Sequence, residues 1–296
     1  MGVPTRYPSG VSTHKVGSPL GNYPLPDPIQ TGANVGTNVI TYVQDYTDTG
    51  STVNYTVTGT SSTFALEAGV GGFAVLTPGG ATTASSMYRT APAFQFQTGN
   101  DFWFVQRLIP GLFATTGTYA FGLQAGSATT DGLWFTKPAS STSINLVSTI
   151  GSVATTLATG VATHTVGTLA AGVTVLGSTT VTVTSTASLV VGYYVYGTGI
   201  PLNSTVVSIT SATAFVISAP ATAAGTGLTL TFAAPVDVAF YYDGQDLFVY
   251  SADLLVTRIV APTLAAALMS EFVSCTPTAT DLLHTDYVLV AQEMAR

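Results

Sequence analysis

Charge is what this 296-residue chain has least of: 7% of its residues are Asp, Glu, Lys or Arg, against about 25% in ordinary globular domains. Basic residues are the scarcest, five Arg and two Lys scattered from Arg6 to Arg296 beside fourteen acidic residues, for a net charge of −7. No cationic stripe exists to neutralise a phosphate backbone, so nucleic acid is excluded as a partner. One cysteine, Cys275, excludes a disulfide framework, and stability must come from packing or assembly. Long apolar runs are missing too. Gly, Ser, Thr and Pro interrupt each of them well short of the ~18 residues a spanning helix needs, so no membrane segment is expected despite a mean hydropathy of +0.45. The first ten residues hold no apolar signal region, and Arg6 stands where a myristoylation signal needs Ser or Thr. A soluble product made in the cytoplasm is the expectation.

Catalytic patterns are equally sparse. The three histidines, His14, His164 and His284, have no companion at metal-ligand spacing such as HExxH, and no GxSxG elbow marks a nucleophile. A glycoside hydrolase needs two carboxylates about 5–10 Å apart, and Glu67, Asp101, Asp131 and Glu271 are the candidates. Asp101 follows Asn100, and Asp131 precedes Gly132, so both sit where Asp serves local turn bonding. Asp243 and Asp246 flank Gly244 as loop oxygens suited to calcium, yet their spacing matches no EF-hand and a hairpin turn explains them. Gly197-Thr198-Gly199 and Gly69-Val70-Gly71-Gly72 do not open helices, so neither cradles phosphate. Trp103 and Trp134 lie inside apolar strand runs, which predicts core packing for both. No catalytic residue, metal or cofactor is expected.

What the chain does have is proline at its start and β signal afterwards. Six of its fifteen prolines fall in residues 1–30. They prevent helix or central strand there and predict an extended arm, with Tyr7, Val11, Leu20, Tyr23 and Leu25 as apolar anchors. From residue 39, runs rich in Val, Ile, Thr, Tyr and Phe alternate with Gly-rich turns. They predict strands over 39–46, 52–58, 63–67, 73–76, 94–97, 102–108, 119–125 and 133–136. In 102–108 apolar side chains fall on both faces at first and alternate later, as in a two-sheet core. Between Lys137 and Asp237 no charged residue occurs, but period-two alternation over 173–184 argues for folded β structure there. Further strands are predicted over 193–196, 205–209, 214–218 and 228–232. Residues 236–250 read as a hairpin around Asp243-Gly244, and 286–291 as a last strand. Leu264, Leu268 and Phe272 recur at fourfold spacing and predict one short helix over 263–272.

Two parts of the sequence resemble known proteins. Pro4-Thr5-Arg6-Tyr7-Pro8-Ser9-Gly10-Val11, continued by Pro19-Leu20-Gly21-Asn22-Tyr23-Pro24-Leu25-Pro26-Asp27-Pro28, resembles the amino-terminal signature of tailed-phage head decoration or cement proteins. Phe102-Trp103-Phe104, Gly122-Leu123-Gln124, Asp131-Gly132-Leu133-Trp134-Phe135, Phe240-Tyr241-Tyr242-Asp243-Gly244 and Asp286-Tyr287-Val288-Leu289-Val290 are similar, in that order, to pieces of their concanavalin-like jelly roll. The stretch around Gly197-Thr198-Gly199-Ile200-Pro201 is similar instead to a small β module recurring in phage and bacterial surface proteins. The resemblance implies an all-β jelly-roll sandwich (residues 31–171 and 234–296), an arm (1–30) and an inserted small β domain (172–233). It also implies a non-enzymatic virion protein on the outer surface of the capsid. The arm would grip the major capsid protein through Arg6, Tyr7, Pro8, Val11, Leu20, Tyr23, Leu25 and Pro26. Charge-poor β surface further predicts self-association, as a homotrimer. The alternative is a receptor- or glycan-binding module of a head or tail fibre, with a host-surface glycan as partner. Solvent-facing Trp134 or Tyr193, Tyr194 and Tyr196 around a groove would mark that alternative.

Overall fold

The computed structural model describes residues 39–44, 46, 54–67, 73–111, 113, 116–127, 130–252, 254–278 and 282–293. Among them the regular structure is all β. The chain first forms β1 (Val39–Gln44), β2 (Tyr55–Thr58), β3 (Thr63–Glu67), β4 (Phe73–Thr77) and β5 (Ser85–Arg89). There follow β6 (Phe102–Ile109), β7 (Thr118–Gln124), β8 (Gly132–Lys137), β9 (Ser143–Ile150) and β10 (Val153–Thr163). A middle stretch gives β11 (Val166–Thr174), β12 (Thr180–Thr182), β13 (Tyr194–Tyr196), β14 (Val206–Ser211), β15 (Ala214–Ile217) and β16 (Gly225–Ala233). Last come β17 (Val236–Tyr242), β18 (Leu247–Ser251), β19 (Leu254–Ile259), β20 (Ser270–Thr276) and β21 (Leu283–Glu293).

These strands make a jelly-roll sandwich with an inserted module. The first sheet runs β19-β18-β17-β6-β21-β4-β3, with β1 sharing one side of β21 with β4, and the second runs β10-β9-β8-β7-β20-β5-β2. Every pairing is antiparallel. The chain's final two strands thus enter the middle of the two sheets, one in each. Inward residues of both sheets, among them Phe102, Phe104, Phe121, Phe135, Phe240, Val273 and Val290, form one core. Strand β6 is buried on both faces, because Trp103 and Val105 join Ala239, Tyr250, Leu289 and Ala291 in a second cluster on the opposite side of its sheet. That is why its first four residues, 102–105, read as a continuous apolar run.

The second sheet depends on a glycine. Gly122 in β7 has φ +150°, and a Cβ there would stand 2.6 Å from the Trp134 Cα and 2.7 Å from the Leu133 carbonyl oxygen on β8. Only a residue without a side chain lets β8 and its Trp134 approach so closely.

The third sheet, β13-β16-β11-β12-β15-β14, has a core of its own built from Leu169, Val181, Val195, Val206, Phe215, Ile217, Leu230 and Phe232. Its entry and exit strands pair with each other from Val166↔Ala233 onward, and the Ala234 amide donates to the Thr165 carbonyl at 2.9 Å. Tyr194, Tyr196 and Val166 pack against Phe73 and Ile109 of the first sheet and seat the module on the sandwich.

Two expectations need correction. Residues 263–272 hold no helix; 270–276 are strand β20, paired with β5 and β7. Glu271, Val273 and Cys275 point inward while Phe272 lies against Trp134 on the other face, so burial on both faces and two partner strands override the local fourfold spacing. The strand expected over 94–97 is a single bridge, Phe94↔Met269. Strands β5, β9, β10 and β19 carry no counterpart among the expected ones.

Candidate functional site

The predicted acid residues are not gathered into one cleft. Glu271 faces inward at the start of β20, where Tyr55 donates to its Oε1 at 3.1 Å. The Tyr55 hydroxyl also meets those of Tyr42 at 2.9 Å and Tyr46 at 3.5 Å. Arg89 lies over the Tyr42 ring, 4.6 Å from its centroid. Burial, only partly offset by hydrogen bonds and the Arg89 charge, pushes the Glu271 carboxyl up to about 7. Its Oε2 and the Arg89 Nη1 are both buried without a hydrogen-bond partner. Asp131 accepts the Gly151 amide at 3.0 Å and ties two turns together. Asp101 precedes β6, where its amide donates to Glu293 at 3.3 Å; burial raises its carboxyl and the Tyr241 hydroxyl lowers it. Glu67 ends β3, on the far edge of the first sheet.

The other chemical candidates serve the framework. Asp243 accepts the amides of Gln245 at 3.0 Å and Asp246 at 2.6 Å, and Asp246 pairs with Arg258 and accepts the Ala261 amide at 3.0 Å. Both are thus occupied in the β17–β18 turn and its neighbour. Among the described residues no group of three or more His, Cys, Asp or Glu is placed to hold a metal ion. His164 is buried against the Tyr119 hydroxyl, 3.1 Å from Nδ1. Burial and the nearby Lys137 charge push it down to about 4, so it is neutral at physiological pH. The His284 ring stacks on Tyr196 at 5.9 Å, and the Cys275 thiol is buried, outside any disulfide. Lys137, missed by sequence reasoning, is fully buried and donates from Nζ to the Gly117 carbonyl.

The aromatic side chains pack rather than project. Trp103 is 0% exposed and Trp134 7%, the latter edge-on to Phe272 with ring centroids 5.8 Å apart. Tyr194 and Tyr196 are buried where the module meets the sandwich, and half-buried Tyr193 stacks on Phe232 at 5.9 Å. The solvent-facing platform that would mark a glycan-binding surface is therefore not formed by Trp134, Tyr194 or Tyr196.

Exposed apolar side chains gather elsewhere. Strand β19 forms the edge of the first sheet, and Leu254, Leu255 and Val256 are 72%, 53% and 41% exposed there. A register shift at Val249/Tyr250 bulges this end of the β18–β19 pair. An open edge bearing apolar side chains offers unpaired backbone groups and hydrophobic area together, the combination proteins otherwise avoid. The arm residues Arg6, Tyr7, Pro8, Val11, Leu20, Tyr23, Leu25 and Pro26 lie outside the described residues.

No family model matches this chain, and no curated protein matches it significantly. Among solved structures it is similar to the carbohydrate recognition domain of Emp47p, at 9% identity over 87% of this chain and 98% of that one, with a TM-score of 0.47. It is similar to a carbohydrate esterase of the Shiga toxin-encoding bacteriophage phi24B, at 10% identity over 87% and 100% of the two chains and a TM-score of 0.42. It is also similar to the CBM2 module of the Dit protein of Lactobacillus casei BL23 phage J-1, at 11% identity over 88% and 98% and a TM-score of 0.43. Likenesses this distant say nothing about what the chain binds.

Proposed function

We propose that the protein is a non-enzymatic virion structural protein that binds the outer surface of a phage capsid and stabilises it. The observation that carries this reading is the apolar open edge of β19, which calls for a protein surface to cover it and gives the sandwich a way to assemble. Self-association through this edge, into a homotrimer, accounts for a body with so few charges to keep it apart. The resemblance of residues 4–28 to the decoration-protein signature supplies the partner, the major capsid protein, and the means of grip. An excess of acidic residues suits an outward face, since a protein lining the packaged genome would be repelled by it. Binding that prefers the assembled shell stabilises it by mass action.

A chain reduced to residues 31–296, mixed with capsids and sedimented, tests the arm. It is expected to fold and stay in the supernatant while the full chain pellets; equal pelleting would overturn the assignment. Side-chain-resolution reconstruction of the virion tests the place, and density at the tail tip or inside the head would overturn the whole reading.

A further inference from the structure

A groove of about 480 Å³ lies at the seam between module and sandwich, inside the range of about 300–1,000 Å³ typical of ligand sites, which favour domain boundaries. It is lined by Val191, Tyr193, Tyr194 and Thr205 of the module and by Thr163 at the end of β10 and Ser251 at the end of β18. Arg107 and Asp237, facing partners on β6 and β17, form the floor.

The floor has a definite chemistry. Arg107 donates to Asp237 through Nε at 2.8 Å and Nη2 at 2.7 Å, a two-pronged pair, and reaches Asp286 from Nη1 at 3.5 Å. These bonds use three of the five N–H groups of a guanidinium and one lone pair on each Asp237 oxygen, so both partners keep capacity to bond a third molecule. Burial works against the Arg107 charge, but Asp237 holds it firmly protonated. A fixed donor thus sits beside a fixed acceptor at the spacing of one ion pair. Adjacent hydroxyls of a sugar ring, each able to donate and accept, match that pairing. Two carboxylates stand against one guanidinium, so the floor repels an anionic ligand. The hydroxyls of Thr163, Thr205 and Ser251 extend the polar lining, while Val191 and the half-buried Tyr193 offer apolar surface to the C–H face of a pyranose.

We infer that this seam is a binding site for a neutral saccharide, built jointly by the module and the sandwich. The module is then what completes the site. The reading is independent of capsid attachment, because it is tested on the free full-length protein. The probe is a glycan array carrying neutral hexose and N-acetylhexosamine oligosaccharides beside sialylated and uronic ones. The wild type is expected to bind a subset of the neutral set. Val191 lies on the rim, 57% exposed, so Val191→Trp is expected to melt like the wild type while filling the groove and removing the signal. Asp237→Asn, which keeps the shape but loses the charged acceptor, is expected to weaken binding by about tenfold or more. No binding to any neutral glycan, binding confined to the anionic set, or undiminished binding by Val191→Trp would each overturn the site.

Discussion

At the scale of single residues, this charge-poor chain nevertheless buries a carboxyl and an ammonium, Glu271 and Lys137. Glu271 is held among Tyr42, Tyr46 and Tyr55 with the Arg89 guanidinium nearby, and burial lifts its carboxyl from 4.5 to about 7. A carboxyl with a folded-state value above its unfolded one favours the native state fully below pH 4.5, and that contribution is lost as the pH rises through about 7. The span between the two values corresponds to roughly 3 kcal/mol. Glu271→Gln is therefore expected to flatten the fall in melting temperature between pH 5 and pH 8 relative to the wild type. Parallel melting curves for the two proteins across that range would remove the carboxyl from this role. Little of this was legible in the sequence. Glu271 stood out there only as one acid among four, because the tyrosines at 42, 46 and 55 that make its burial tolerable come from a distant part of the chain, and Lys137 not at all, because its acceptor is a backbone carbonyl, that of Gly117, which no side chain announces.

At the scale of strands, legibility followed local pattern. The β17–β18 hairpin around Asp243-Gly244 and the two-sided apolar run of β6 carry their geometry in adjacent residues, and both stand close to where the alternation placed them. Strands β10 and β19 did not show themselves. The first is an edge strand rich in Ala and Thr, and the second leaves three consecutive apolar residues in solvent, so neither alternates. The helix expected over 263–272 gave way because β5 and β7 flank this segment and bond it on both sides as a strand, whereas an isolated helix of ten residues is marginal in water. The exposed β19 edge leads to a direct expectation. Leu255→Lys places a charge on it without disturbing the core, and light scattering after size exclusion should show the assembled species giving way to monomer. A wild type that is already monomeric at micromolar concentration would refute the role given to this edge.

At the scale of the whole molecule, the chain is one sandwich interrupted by a self-contained guest. The interruption was visible in composition, as a charge-free interval between Lys137 and Asp237, but the groove at its base was not, since Arg107 and Asp237 are 130 positions apart. The guest's entry and exit strands leave as paired neighbours, roughly 5 Å apart. Replacing residues 166–233 by a two-residue turn should thus yield a cooperatively folding sandwich. Its melting temperature should fall, because Phe73 and Ile109 lose the cover of Tyr194 and Tyr196. Calorimetry showing no transition would mean that the sandwich needs its guest.

The same side-by-side exit sets how tension would pass through the protein. A pull on the guest from outside would reach the sandwich along two antiparallel strands leaving at one point, so it would part their hydrogen bonds in succession, starting at Val166 and Ala233, like a zip rather than a lap joint. Whatever the guest holds, the neck would be the fuse: it would yield at low force and re-form afterwards, sparing the two sheets behind it.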